Sequence, residues 1–148
     1  MYSAQYYTFY VAEIVLRGII IALITAILWA DMAFAGMSIA VDGLKLSVAW
    51  EDNRSVEALE NLAPLTVKMS AYGGFEQVGR IGRSLPRDDV RITTEPGDIV
   101  LYAGNQIVIF YGSNTWEYTR LGHATEKSEA ELAEILGKPG VTLTISAD

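Results

Sequence analysis

The arginines are the side chains of this sequence that are best suited to bind or polarise a ligand. Four of them lie in or next to its most distinctive segments: Arg80, Arg83, Arg87 and Arg120. A guanidinium group binds a carboxylate, or polarises a carbonyl, through a planar fork of donors. Arg83 and Arg120 are the stronger candidates for such a role, catalytic or ligand-binding. The simpler alternative for each arginine is a surface ion pair with one of the 18 acidic residues.

Aromatic side chains near these arginines are suited to line a groove. The candidates are Phe75, Tyr102, Phe110, Tyr111, Trp116 and Tyr118. Core packing is the alternative, and strand alternation assigns Phe110 and one of Tyr102 or Tyr118 to the core. Trp116 stands among polar residues after a Gly-Ser-Asn turn, so it is predicted to be exposed.

Two amide side chains, Gln106 and Asn114, flank the same aromatic segments. Either amide can bind the backbone of a peptide, and either can equally stabilise its own turn. Tyr72 and Glu76 enclose the pair Gly73-Gly74, which has no accompanying phosphate-binding motif and is predicted to serve the chain's conformation.

Composition excludes several classes of function. The formal net charge of −7 argues against binding nucleic acid, whose phosphates require a basic face. There is no cysteine and a single histidine, His123, so neither a thiolate site nor a histidine-based metal cage is available. No metal and no cofactor are expected.

The central elements predicted to position these residues are two apolar runs, 99–102 and 107–110. Ala103, Gly104, Asn105 and Gln106 separate them, a pattern typical of a β-hairpin. An earlier hairpin is predicted at Asp42-Gly43, between the alternating runs 37–41 and 44–50.

Two short helices are predicted outside the strands. One begins after Asn53 as N-cap, and the other follows a capping box formed by Ser128 and Glu131. Short strands are also expected at Val67 and Met69, at 90–92 and at 141–145, whereas 71–89 is expected to be a long irregular loop. These elements predict a mainly β domain, closed as a barrel.

The first 35 residues form a different kind of segment. Arg17 precedes an uncharged apolar run, 18–30, which is too short to span a bilayer but suits a signal peptide. Ala33-Phe34-Ala35 fits a cleavage site. An uncleaved membrane anchor and a buried N-terminal helix are the alternatives. Residues 1–35 are therefore expected to be a signal or anchor, and 36–148 a domain that is exported to the periplasm or the extracellular space.

The order of motifs in the domain resembles a known family. The segments are 62–66 (LAPLT), 72–76 (YGGFE), 82–86 (GRSLP), 96–102 (PGDIVLY), 104–106 (GNQ), 110–116 (FYGSNTW) and 118–122 (YTRLG). They are similar to the bacterial cyclophilin-like domain proteins, a group of mostly unassigned function. The resemblance implies a cyclophilin-type barrel of about eight strands with short helices.

The same resemblance implies less about activity. True cyclophilins isomerise the bond before proline with an arginine, beside a phenylalanine-lined pocket and a glutamine. Their Phe-His-Arg and Gln-Gly-Gly-Asp signatures are absent from this sequence, so no catalytic residue is transferred from them.

The first functional hypothesis is a binding domain with a groove for a peptide segment or a small ligand. Its expected ligand-binding residues are Tyr72, Phe75, Glu76, Arg83, Gln106, Tyr111, Asn114, Trp116, Tyr118 and Arg120. The alternatives are a divergent prolyl isomerase using Arg83 or Arg120, and a non-catalytic subunit that forms a homodimer. Membrane contact is expected only through residues 1–35, if they are not cleaved.

Overall fold

The computed structural model describes residues 36–147, so the signal or anchor helix expected in 1–35 lies outside the described residues. The strands are β1 (Met37–Val41), β2 (Leu44–Leu46), β3 (Val48–Trp50), β4 (Leu65–Tyr72), β5 (Glu76–Arg80), β6 (Val90–Thr93), β7 (Asp98–Tyr102), β8 (Gln106–Phe110), β9 (Thr115–Ala124) and β10 (Gly140–Ala147). The helices are α1 (Arg54–Glu60) and α2 (Glu129–Leu136). Within 36–147, no helix combines the length and hydropathy that a membrane span requires.

Nine of the strands follow one another as β2-β1-β10-β4-β5-β8-β7-β9-β3, with every pairing antiparallel. Only Ser47 separates β2 from β3, so these two are one interrupted strand that pairs with β1 on one side and β9 on the other. The Ser47 carbonyl accepts from the Thr125 amide at 2.8 Å. With β2 and β3 taken as one strand, the nearly closed barrel has eight strands. This confirms the mainly β barrel predicted from the sequence.

The hairpin predicted at Asp42-Gly43 is present between β1 and β2. Asp42 has φ 49° and Gly43 has φ 83°, as a type I′ turn requires. Val41 pairs with Leu44 across the turn. The Asp42 carboxylate accepts from the Thr142 amide at 2.8 Å, and this bond fastens the turn to β10.

The prediction of an irregular loop over 71–89 is wrong for the first half of that range. β4 continues to Tyr72, and β5 is a central strand between β4 and β8. The sequence of β5 lacks the usual alternation of apolar and polar residues because the polar Gln77 faces the interior. There its amide donates to the carbonyls of Leu136 and Lys138 at 2.7 Å each. Gly79 faces the interior as well, and a Cβ there would collide with the Val67 side chain.

β9 has two different sets of partners along its length. Its first four residues pair with the predicted strand β6 in a two-stranded ribbon, and its second half pairs with β7 and β3. The ribbon is tied down at one end, where the Thr94 amide donates to the Asn114 carbonyl at 2.8 Å. The sequence had indicated only a polar and aromatic segment here, not a strand.

Two apolar clusters lie on opposite faces of the barrel's sheet. The interior cluster contains the fully buried Ile99, Leu101, Ile107 and Ile109, which alternate with outward-facing residues. The outer cluster consists of Val100, Val108, Phe110 and Tyr118. Phe110 and Tyr118 are both buried, whereas Tyr102 is 37 % exposed, so the prediction of one tyrosine in the core is confirmed for Tyr118.

The two helices begin as the sequence predicted. The Asn53 side chain accepts from the amides of Ser55 and Val56, and its amide donates to the Arg120 carbonyl at 2.9 Å. Ser128 and Glu131 form the reciprocal capping box of α2. Both helices bury leucines (Leu59, Leu132 and Leu136) in the interior cluster.

Candidate functional site

A groove of about 960 Å³ lies on the outer face of the barrel, next to the outer cluster. Its floor comes from β4, β5 and β8, and its far side comes from β7 and β9. The side chains that define its chemistry are Lys68, Tyr72, Glu76, Arg80, Tyr102, Gln106, Asn114, Trp116 and Tyr118. Alternation in the strands explains this set, because residues two apart on a strand share a face.

Glu76 is the buried carboxyl group of the groove. Its residue is only 6 % exposed, and its Oε2 atom has no hydrogen-bond partner within residues 36–147. Loss of hydration raises the pKa of Glu76 from its ordinary value of 4.5 to about 7. An ionisable group held in this way near neutral pH is a mark of functional sites.

Tyr118 and Asn114 lie at the same end of the groove as Glu76. The side-chain Nδ2 of Asn114 donates to the Tyr118 hydroxyl at 3.0 Å, and its side-chain Oδ1 accepts from the Thr115 backbone amide at 2.9 Å. Burial, reinforced by the charge of Glu76, raises the pKa of Tyr118, and the bond from Asn114 offsets part of that rise. Asn114 therefore both stabilises its turn and orients a side chain of the groove.

The other end of the groove is basic. Lys68 and Arg80 line it, and neither forms an ion pair within the described part of the chain. The Lys68 ammonium donates to the Thr142 hydroxyl at 2.9 Å. Arg80 is the register partner of Gln106, which in turn pairs with Tyr102 across β7 and β8. Cationic, amide and aromatic groups thus meet in one row.

Aromatic rings border the groove along its length. Tyr72 and Trp116 are 67 % and 52 % exposed, so the predicted exposure of Trp116 is confirmed. The Tyr118 ring meets Tyr102 edge-on at a centroid distance of 5.9 Å, and Phe110 at 5.6 Å. Both contacts have the edge-to-face geometry that aromatic pairs favour.

The barrel agrees with a comparison of the sequence with known protein families. The model of the cyclophilin-like family matches residues 39–146. The chain belongs to the cyclophilin-like family. No curated protein matches the chain in sequence. Within 36–147 of this cyclophilin-like domain, no group of three or more His, Asp or Glu side chains converges as a metal site would require.

Six of the ten residues expected to bind ligand line the groove of the cyclophilin-like domain. They are Tyr72, Glu76, Gln106, Asn114, Trp116 and Tyr118. The other four lie elsewhere. Phe75 packs against the outer cluster and Tyr111 against the interior cluster. Arg83 is exposed on the loop after β5, and Arg120 pairs with Asp98. Ligand binding by the six residues of the groove stays a prediction.

Arg120 belongs to a separate polar network. The buried Asp98 carboxylate accepts from the Arg120 guanidinium at 3.2 Å and from the Glu95 amide at 2.9 Å. It also contacts the His123 Nδ1 atom at 2.8 Å. Arg120 therefore forms an ion pair, as its alternative supposed, but the partner is a buried carboxylate and not a surface one.

Two basic residues of the groove were not among the sequence-based predictions of ligand-binding residues. Lys68 was missed, and Arg80 was considered a weaker candidate than Arg83 and Arg120. Lys68 lies between Val67 and Met69, both buried, so period-2 alternation places it outward with Ser70 and Tyr72. That signal was available. Arg80 depended on recognising β5 as a strand, which Gln77 and Gly79 concealed.

Proposed function

We propose that this cyclophilin-like domain binds a peptide segment or a small ligand in its outer groove. The observation that carries the proposal is the Oε2 atom of Glu76, which is buried at the groove and has no hydrogen-bond partner among residues 36–147. A buried polar atom that makes no hydrogen bond costs free energy. A ligand that donates an N–H or O–H group to Glu76 removes this cost, so the bound state is favoured.

The rest of the groove supports the same function. Ligand sites are concave, largely aromatic or apolar, and contain a few well-placed polar groups. Tyr72, Trp116 and Tyr118 supply the aromatic surface, while Gln106 and Asn114 supply amides that match those of a peptide backbone.

Chemical-shift mapping with the isotope-labelled protein tests this function. A panel of Xaa-Pro peptides and a mixture of small polar fragments are the probes. We expect saturable shifts at Trp116, Tyr118 and Asn114, with Trp50 as the internal control because its indole is engaged by the Met37 carbonyl at 2.7 Å. Shifts spread outside the groove, or none with either probe set, would contradict the proposal. A mass that rises with concentration in light scattering would favour the dimer alternative.

A divergent prolyl isomerase is a second candidate, favoured by Arg80 beside Gln106 in an aromatic groove. One donor aimed at the twisted amide is the essential requirement of such catalysis. Arg80 lines the groove whereas Arg83 and Arg120 do not, so Arg80 is the arginine that this candidate would use. Exchange spectroscopy of Xaa-Pro peptides should then show cis–trans cross-peaks that Arg80→Ala abolishes and Arg83→Ala retains. Uncatalysed exchange with the wild type would eliminate this candidate.

Export is proposed from the sequence of residues 1–35. The apolar run 18–30 and the motif Ala33-Phe34-Ala35 support a cleaved signal, and an anchor if cleavage fails. The N-terminal residue of the protein from its native cells checks this. Gly36 indicates cleavage, whereas Met1 in a cytosolic fraction would contradict export.

A further inference from the structure

The groove carries opposite charges at its two ends. Glu76 and Arg80 stand at the first and last positions of β5, and both side chains line the groove. The four residue steps from Glu76 to Arg80 along an extended strand correspond to about 13 Å between the two Cα atoms, at ~3.3 Å per step. Met69 pairs with Gly79, so the same register brings Lys68 next to Arg80. The result is an acidic end and a doubly basic end.

The space between the two ends is mainly apolar, with Ser70 as its polar side chain on β4. Val78 lies midway between Glu76 and Arg80 on β5, and its register partner on β8 is Val108. Among the described residues, no acid lines the basic end and no base lines the acidic end. Neither end neutralises the other, because opposite charges at this separation interact weakly across solvent. Such a groove favours a ligand with a donor at one end, an apolar middle and an anion at the other end.

We propose that the groove binds short free peptides of about four residues, with the N-terminal ammonium at Glu76 and the C-terminal carboxylate at Lys68 and Arg80. The proposal rests on the proposed function and specifies its ligand class. An extended peptide covers at most ~3.3–3.6 Å per residue, so about four residues match the two ends. The ammonium supplies the N–H donors that the Oε2 atom lacks, and aliphatic side chains fit over Val78 and Val108.

Binding of this ligand is coupled to protons. Burial raises the pKa of Glu76 to about 7, so an ammonium that requires the ionised carboxylate displaces a proton below that pH. The other titratable groups lining the groove are Lys68 and Tyr72 on β4, Arg80 on β5, Tyr102 on β7 and Tyr118 on β9. Affinity should rise with pH up to about 7, and then fall as the peptide amine, with an ordinary pKa of about 7.7–8.0, loses its own proton.

Titration of the full chain with matched peptides tests the proposal. The probes are Ala-Leu-Leu-Ala with free termini, the same peptide N-acetylated, and the same peptide C-amidated. Trp116 fluorescence reports binding, and calorimetry confirms the affinities. Acetylation should weaken binding about tenfold or more, as loss of a charged hydrogen bond in a buried site does. Amidation should weaken it about two- to fivefold, because Arg80 and Lys68 are exposed.

Two variants assign each preference to its end of the groove. Glu76→Gln should remove the preference for the free amine, and Arg80→Gln should reduce the preference for the free carboxylate. Glu117→Gln and Arg83→Gln are the matched controls, since both residues are exposed and neither lines the groove. They should leave both preferences unchanged.

The possible results separate this proposal from the function on which it rests. Equal affinity for the free and the blocked peptides would overturn the terminus-binding proposal and leave a groove that binds internal peptide segments. Failure of all three peptides would overturn it too. Chemical-shift mapping with the fragment mixture then decides separately whether the groove binds ligands of another class.

Discussion

Replacing Glu76 by glutamine should change how the stability of the barrel depends on pH. The carboxyl is buried, and desolvation raises its pKa from 4.5 to about 7. Between these two values the unfolded chain has released a proton that the folded chain retains. The stability contributed by Glu76 is therefore complete below pH 4.5 and is lost as the pH rises through about 7.

The magnitude follows from the same two values. An interval from 4.5 to about 7 corresponds to about 3 kcal/mol, at ~1.36 kcal/mol for each pH unit. Because glutamine has nearly the same shape as protonated glutamate and cannot ionise, Glu76→Gln escapes this loss. As the pH rises from 5 to 9, the free energy of unfolding of the variant should therefore increase relative to that of the wild type by about 2–3 kcal/mol.

Urea unfolding at a series of pH values, followed by circular dichroism, measures this difference. Glu117→Gln, on the exposed part of β9, is the control and should parallel the wild type. Other titrating groups affect all three proteins alike, so the difference between the curves isolates Glu76. Parallel curves for the wild type and Glu76→Gln across this range would refute the raised pKa and the desolvation that causes it.

Two further predictions concern the framework that holds the groove. Gly79→Ala should destabilise the barrel by about 1–3 kcal/mol, because the new methyl group collides with Val67; an unchanged urea midpoint would contradict this close packing. Asp98→Ala should cost about 2–4 kcal/mol, because it removes the buried acceptor of Arg120 and leaves the Glu95 amide unpaired. Ligand affinity of the groove, measured by titration, should survive that change, and its loss would show that Arg120 acts in the site after all.

Glu76 connects the stability of the domain to its proposed function. A carboxyl group buried without a partner is unfavourable for folding as soon as it ionises. The same desolvation makes an ammonium or amide donor from a ligand worth more there than at a hydrated surface. A stability gain in Glu76→Gln together with a loss of ligand affinity would be the expected signature of a site residue.

The sequence alone determined the elements whose reasons are local. The Asp42-Gly43 turn, the N-cap Asn53, the capping box of Ser128 and the central hairpin were all predicted, because each depends on residues within a few positions of one another. The barrel followed from the number of short strands, and the family resemblance agreed with it. Period-2 alternation also predicted that Phe110 is buried, and the polar residues around Trp116 predicted that it is exposed.

Only the tertiary structure decided which residues share the groove. β5 breaks the alternation rule because Gln77 finds buried carbonyl acceptors 59 and 61 residues away, and this long-range satisfaction leaves no local trace. Arg80 lines the groove because it is the last residue of β5, whereas Arg83 lies on the loop after that strand. Arg120 is held by Asp98, and Glu76 lost its hydration to elements distant in the chain. Periodicity reports which face of a strand a residue occupies, but charge pairing and desolvation depend on what the fold brings against that face.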